Sequence, residues 1–195
     1  MVAVSRDHPG SEEEDLAIQD SPPLELRTLG SVELRDAQGR ELEEVLHQPK
    51  RLALLIYLAV AAPGGFHRRD SIVALFWPEL SDKRARNALS KGIHFLRLHL
   101  GSDVVESRGA AEIGVDPDRV WCDAVVFEEA LHEGRHGDAV ELYRGPFLEG
   151  FHIAETEELV FWLDRQRDHL AQRYTGALAT LAGRAAKRGD PEGAA

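Results

Sequence analysis

Ser81–Leu100, SDKRARNALSKGIHFLRLHL, is the stretch whose reading decides the fold. Ser81 stands where a helix N-cap belongs, Asp82 suits the positive N-terminal end, and Gly101 is placed to stop the helix. At about 100° per residue, Ala85, Leu89, Ile93, Leu96 and Leu100 gather on one side. Lys83, Asn87, Ser90, Lys91 and His94 gather on the other, with Arg86 and Arg97 at one edge and Arg84 at the opposite edge. A helix that docks by one stripe and offers Arg, Lys, Asn and Ser on the other has the chemistry of a major-groove reader. Arg and Lys suit guanine edges and phosphates, Asn suits adenine edges, and Ser contacts either. An ordinary solvated face has the same composition, so the flanking segments must decide.

Charge is the first of them. Residues 48–101 carry nine Lys and Arg against three acids, a balance of +6, while every other block is acidic and the chain of 195 residues stands at −11. Such a total argues against a protein that coats nucleic acid nonspecifically, and the local basic block marks one face for it. The length allows one or two domains with a real core. Cys122 is the only cysteine, which excludes an intrachain disulfide and a cysteine-based zinc site and fits a reducing cytoplasm. The longest apolar run, Leu52–Ala62, is well short of the roughly 20 residues a membrane span needs, and the N-terminus lacks an apolar signal core. A cytoplasmic protein without membrane contact is expected.

Outward from the basic helix, residues 1–23 are acidic and poor in large apolar side chains, and read as a disordered tail. Leu24–Leu29 and Val32–Arg35 alternate apolar and polar, with a return near Arg40–Leu42: short antiparallel strands. Gln48–Ala62 is apolar nearly all round and predicts a buried central helix, broken at Pro63-Gly64-Gly65. Arg69–Trp77 predicts a short amphipathic helix stopped by Pro78, and Pro78–Leu80 a tight turn. Val104–Ser107 and Glu112–Val115, joined by Arg108-Gly109-Ala110-Ala111, predict a hairpin. Strands, helix, helix–turn–helix and hairpin is the order of a winged helix–turn–helix over 24–120. Its second helix lies in the major groove, and the hairpin is a wing whose tip residue Arg108 reaches a phosphate or the narrow groove.

The run QPKRLALLIYLAVAAPGGFHRRDSIVALFWPELSDKRARNALSKGIHFLRLHLG resembles the DNA-binding half of the bacterial SARP-type activators, which pair an OmpR-type winged helix with a bacterial transcriptional activator domain. LFWPE, RARNAL and FLRLHLG are the specific phrases, and WCDAVVFEEAL, ELYRGPFLEGF and FWLDRQRDHLAQRY follow in the right order, so that the resemblance covers about 24–195. It implies a transcriptional activator that binds promoter repeats in double-stranded DNA through Ser81–Leu100 and contacts RNA polymerase. In OmpR-type relatives the loop before the recognition helix makes that contact, which here implies Trp77, Pro78, Glu79 and Asp82. A buried Trp77 beside a helix-stopping proline is the plain structural alternative.

Residues 121–195 read as helices: Asp123–Glu133, a turn at Gly134–Gly137, Asp138–Tyr143, and a long pattern over Glu155–Gly189 taken as two helices. Their small residues and the Gly189-Asp190-Pro191 turn resemble tetratricopeptide repeats, of which about one and a half are present. The chain stops where another helix would begin, while the activator domain of the family runs further. A partial domain that exposes apolar surface and oligomerises on DNA is the expectation. The fold class is thus mainly α with small β: a winged helix–turn–helix followed by a partial tetratricopeptide-like all-α domain.

Two other functions stay open at this level. One is a protein-interaction scaffold built on a degenerate winged domain. The other is a zinc peptidase, because His132-Glu133-Gly134-Arg135-His136 matches H-E-x-x-H, with Glu155, Glu157 and Glu158 in reach of a third ligand position. That chemistry needs both histidines on one continuous helix, and Gly134 and Gly137 are turn residues. No phosphate-binding glycine loop and no G-x-S-x-G elbow occurs, and Cys122 reads as a small buried residue rather than a nucleophile. No catalytic residue, metal or cofactor is expected.

Overall fold

A computed structural model of the chain describes residues 24–152 and 156–188. The tail 1–23, Glu155 and the Gly189–Glu192 turn therefore lie outside the described residues. The elements run β1 (Leu24–Arg27), β2 (Glu33–Arg35), α1 (Glu43–Leu46), α2 (Pro49–Val60), β3 (Phe66–Arg68), α3 (Arg69–Phe76), α4 (Asp82–Leu100), β4 (Val105–Arg108), β5 (Glu112–Val115), β6 (Val120–Cys122), α5 (Asp123–His132), α6 (His136–Leu142) and α7 (Glu157–Arg188). The described residues are mostly helical, with two small sheets. No helix among the described residues is long and apolar enough to cross a membrane.

The central helix forms as its composition dictates. Pro49 opens α2, where its missing N–H costs nothing, and Leu52, Leu54, Leu55, Ile56 and Leu58 are buried on successive faces. Around it pack α4, α5, β5 and β6. One sheet has the order β2-β1-β6, with β1 antiparallel to β2 and parallel to β6 through Leu24↔Val120 and Leu26↔Cys122. The other has the order β3-β5-β4, all antiparallel, so the hairpin gains a third strand from the turn after α2.

Three features of the fold bear on the sequence expectations. The position expected to divide the halves, 120/121, falls within β6, and one continuous core runs from Leu26 through Leu55 and Phe127 to Leu170. Backbone bonds stitch the halves further: Leu148 N–H donates to Thr28 O at 2.7 Å and Glu149 N–H to Gly30 O at 2.9 Å. Second, the two helices expected over 155–189 are one, α7, of 32 residues. Its stretch contains no proline, and Gly176 and Gly183 cost only about 1 kcal/mol each in a helix interior. Third, Ser81 occupies the N-cap position of α4 with extended backbone, but its hydroxyl makes no capping hydrogen bond. Gly101 does end the helix, at φ +116°, a conformation that favours glycine.

Candidate nucleic-acid interface

Helix α4 is buried along one stripe and exposed along the other. Ala85, Leu89, Ile93, Leu96 and Leu100 are all in the core, joined by Gly92, whose Cα faces Leu54 of α2. Lys83, Arg84, Arg86, Asn87, Ser90, Lys91 and His94 are exposed. Leu98, 70% exposed, continues the same face toward the C-terminal end. The helix angle places 83, 87, 90, 91, 94 and 98 within about 100° of arc, a width one major groove accommodates.

Several of these side chains already have partners. Arg86 Nη2 lies 3.2 Å from Asp70 Oδ1, a solvent-exposed pair worth less than about 1 kcal/mol and therefore open to exchange for a phosphate. The Ser90 hydroxyl donates to Arg86 O at 2.9 Å, which leaves its oxygen as an acceptor only. Arg97 is half-buried and committed: Nε and Nη2 donate to Val105 O at 2.8 and 2.6 Å, and Nη2 to Ser107 Oγ at 3.0 Å. It fastens the β4–β5 hairpin to α4. It stands at the edge of the basic face with its fork turned to the hairpin backbone.

Arg108 is the last residue of β4, not the hairpin tip, which is Gly109, Ala110 and Ala111. Its guanidinium stacks 3.8 Å from the Phe66 ring and its Nη1 lies 4.0 Å from Glu112. Arg69, the first residue of α3, was not singled out by sequence. Its Nη2 donates to the same Ser107 hydroxyl at 3.3 Å. Burial and the neighbouring Arg97 charge hold its pKa below the usual arginine value. Neither Arg69 nor Arg97 has an acidic partner among the described residues, so the seam between α3, α4 and the hairpin is positive. The doublet Arg68-Arg69 at a helix start was the available signal.

The loop before α4 divides. Pro78, Glu79 and Asp82 are exposed. Trp77 is not: it is 9% exposed, with its ring 5.6 Å from Phe76 and the Lys50 ammonium 5.2 Å over it. The indole follows the last turn of α3 inward, because an exposed ring of that size would forfeit the burial it gains there. It floors a hollow of about 360 Å³ shared with Pro78, Leu80 and Arg86.

The H-E-x-x-H pattern is divided between two helices. His132 ends α5, Gly134 turns the chain at φ +76°, and His136 begins α6. No group of three His, Cys, Asp or Glu side chains among the described residues is placed to hold a metal ion. Cys122 is buried, and burial together with the neighbouring Asp123 carboxylate pushes its thiol up to about 12, which keeps it protonated and unreactive.

No family model matches the chain, and no curated protein matches it. Among solved structures the fold is similar to that of Mycobacterium tuberculosis EmbR in complex with a low affinity phosphopeptide, with a TM-score of 0.61 and 18% identity over 86% of this chain. The chain spans 46% of the EmbR chain. At that identity the likeness is one of fold.

Proposed function

We propose that this chain is a sequence-specific DNA-binding transcriptional regulator. In this reading α3, the 77–81 loop, α4 and the β4–β5 hairpin act as a winged helix–turn–helix, and α4 enters the major groove. The observation that carries it is the exposed Lys, Arg, Asn, Ser and His face of α4, set opposite a stripe buried in the core and lying in the one basic segment of an acidic chain. Asn87, Lys91 and His94 take base edges. Arg84 and Arg86 take phosphates, with Lys83 and Ser90 beside them and Arg108 on the wing. The fold likeness to EmbR supports the arrangement of elements. Residues 121–195 act as a partial activator domain, Pro78, Glu79 and Asp82 as the surface toward RNA polymerase, and pairing of copies on promoter repeats as the mode of occupancy.

Selection from a random duplex pool, followed by affinity for the best site at several salt concentrations, tests this. Enrichment of a repeated motif is expected, with affinity falling steeply as salt rises. Asn87→Ala is expected to cost about 1–3 kcal/mol at one base position. No enrichment, with weak binding indifferent to sequence, overturns the proposal. A second reading, a scaffold that works through the helical half, is favoured by the exposure of Phe161, Val160 and Leu178 on α7. It expects no steep salt dependence.

A further inference from the structure

We infer that the cleft between the end of α2, α5 and α7 is a binding site for a small amphipathic organic anion, in the simplest case an aromatic carboxylate. The cleft holds about 600 Å³, within the range of small-molecule sites. Val60 and Pro63 wall it from the first half of the chain, and Val125, Trp162 and Leu170 from the helical half. These surfaces fit a ring or branched hydrocarbon body.

The polar groups on the cleft decide the charge of the ligand. Glu128 is charge-balanced by Arg173, whose Nε donates to Oε2 at 3.1 Å, while Oε1 lies 2.9 Å from His169 Nε2 without accepting a hydrogen bond. Arg165 lines the cleft with no carboxylate partner among the described residues, its guanidinium 5.8 Å from the Phe161 ring. The Gln166 side chain, beside it on the cleft, makes no hydrogen bond among them. A guanidinium and an amide with donors to spare, next to apolar walls, match a carboxylate on a hydrophobic body.

The site is also placed to be felt elsewhere. Trp162 meets the Tyr57 ring at 5.0 Å, and Tyr57 meets His67 of β3 at 5.0 Å and Phe76 of α3 at 5.8 Å. Thr156, just before α7, donates to Leu75 O of α3 at 2.6 Å. A ligand on Trp162 is therefore two ring contacts from α3 and the hairpin sheet. Binding itself does not depend on the DNA reading.

The test is calorimetric titration of the full chain with 1-naphthaleneacetate and, separately, with its uncharged carboxamide. One carboxylate per chain is expected, bound at least about tenfold tighter than the carboxamide, the size of one charge-assisted hydrogen bond. Arg165→Gln, at an exposed position, should erase that preference. Val125→Trp should fill the cleft and abolish both. Absence of saturable binding, equal affinity of the two probes, or a preference that survives Arg165→Gln overturns the proposal whether or not Val125→Trp folds.

Discussion

Thr28 and Asp123 stand 95 positions apart in the chain and are joined by two hydrogen bonds in the core. Thr28 donates both its backbone N–H and its hydroxyl to Asp123 Oδ1, each at 2.7 Å. Leu29 N–H donates to Oδ2 at 3.0 Å, and both Thr28 and Asp123 are fully buried. The carboxylate thus pins the start of α5 to the end of β1, and through it the helical half to the first sheet.

Asp123→Ala strands those donors without water. The expected cost is about 3 kcal/mol of unfolding free energy, read from urea denaturation. Asp123→Asn should lose a good part of it too, because its Nδ2 must face a donor. A loss below about 1 kcal/mol for the alanine variant would refute the pinning role.

Gly114 sits in β5 opposite Phe66, where a Cβ would lie 2.5 Å from the Gly65 carbonyl oxygen. Backbone cannot yield there as a flexible side chain would. Gly114→Ala should cost about 2 kcal/mol and part β3 from the hairpin. An unchanged thermal midpoint would show that the approach is not rigid.

Arg97 and Lys91 are both basic residues of α4 with different expected effects. Arg97→Ala removes two donors from Val105 O and should speed amide exchange across 105–115, with the salt dependence of DNA binding unchanged. Lys91→Ala should leave hairpin exchange alone and reduce the DNA salt slope by about 1 if it meets a phosphate, or relax preference at one base if it meets an edge. Reversal of the two patterns would place Arg97, and not Lys91, on DNA.

His67 gives a pH dependence. Burial lowers its pKa below the ordinary value near 6.5, against a smaller upward pull from its bond to Leu58 backbone. The unfolded chain therefore binds the proton first as pH falls. The stability that neutral His67 contributes is full above about pH 6.5 and lost as pH falls through the window below it. His67→Phe, which cannot titrate, should show a flatter urea midpoint between pH 7 and 5 than the unsubstituted chain. Parallel profiles would mean that His67 protonates alike in both states.

Much of this architecture was legible because it follows from local periodicity. Five apolar residues of α4 recur at helical spacing, and the same five are buried. The all-round apolar run became the central helix, the Gly109 turn became a hairpin, and Gly134 broke the helix that H-E-x-x-H would require. Helical spacing and turn chemistry are properties of a few consecutive residues, so the chain by itself determined them. The strands β3 and β6, three residues each, carry no such period. They exist because their partners, β5 and β1, are delivered by distant parts of the chain. The same holds for polar side chains. Sequence placed Arg97 on a basic face and Trp77 in a contact loop, but only the meeting of α4 with Val105, and of Trp77 with Phe76 and Lys50, decided that one fastens the hairpin and the other enters the core. A side chain's direction is set locally, whereas its hydrogen-bond partner or its burial is set by whichever segment the fold brings against it.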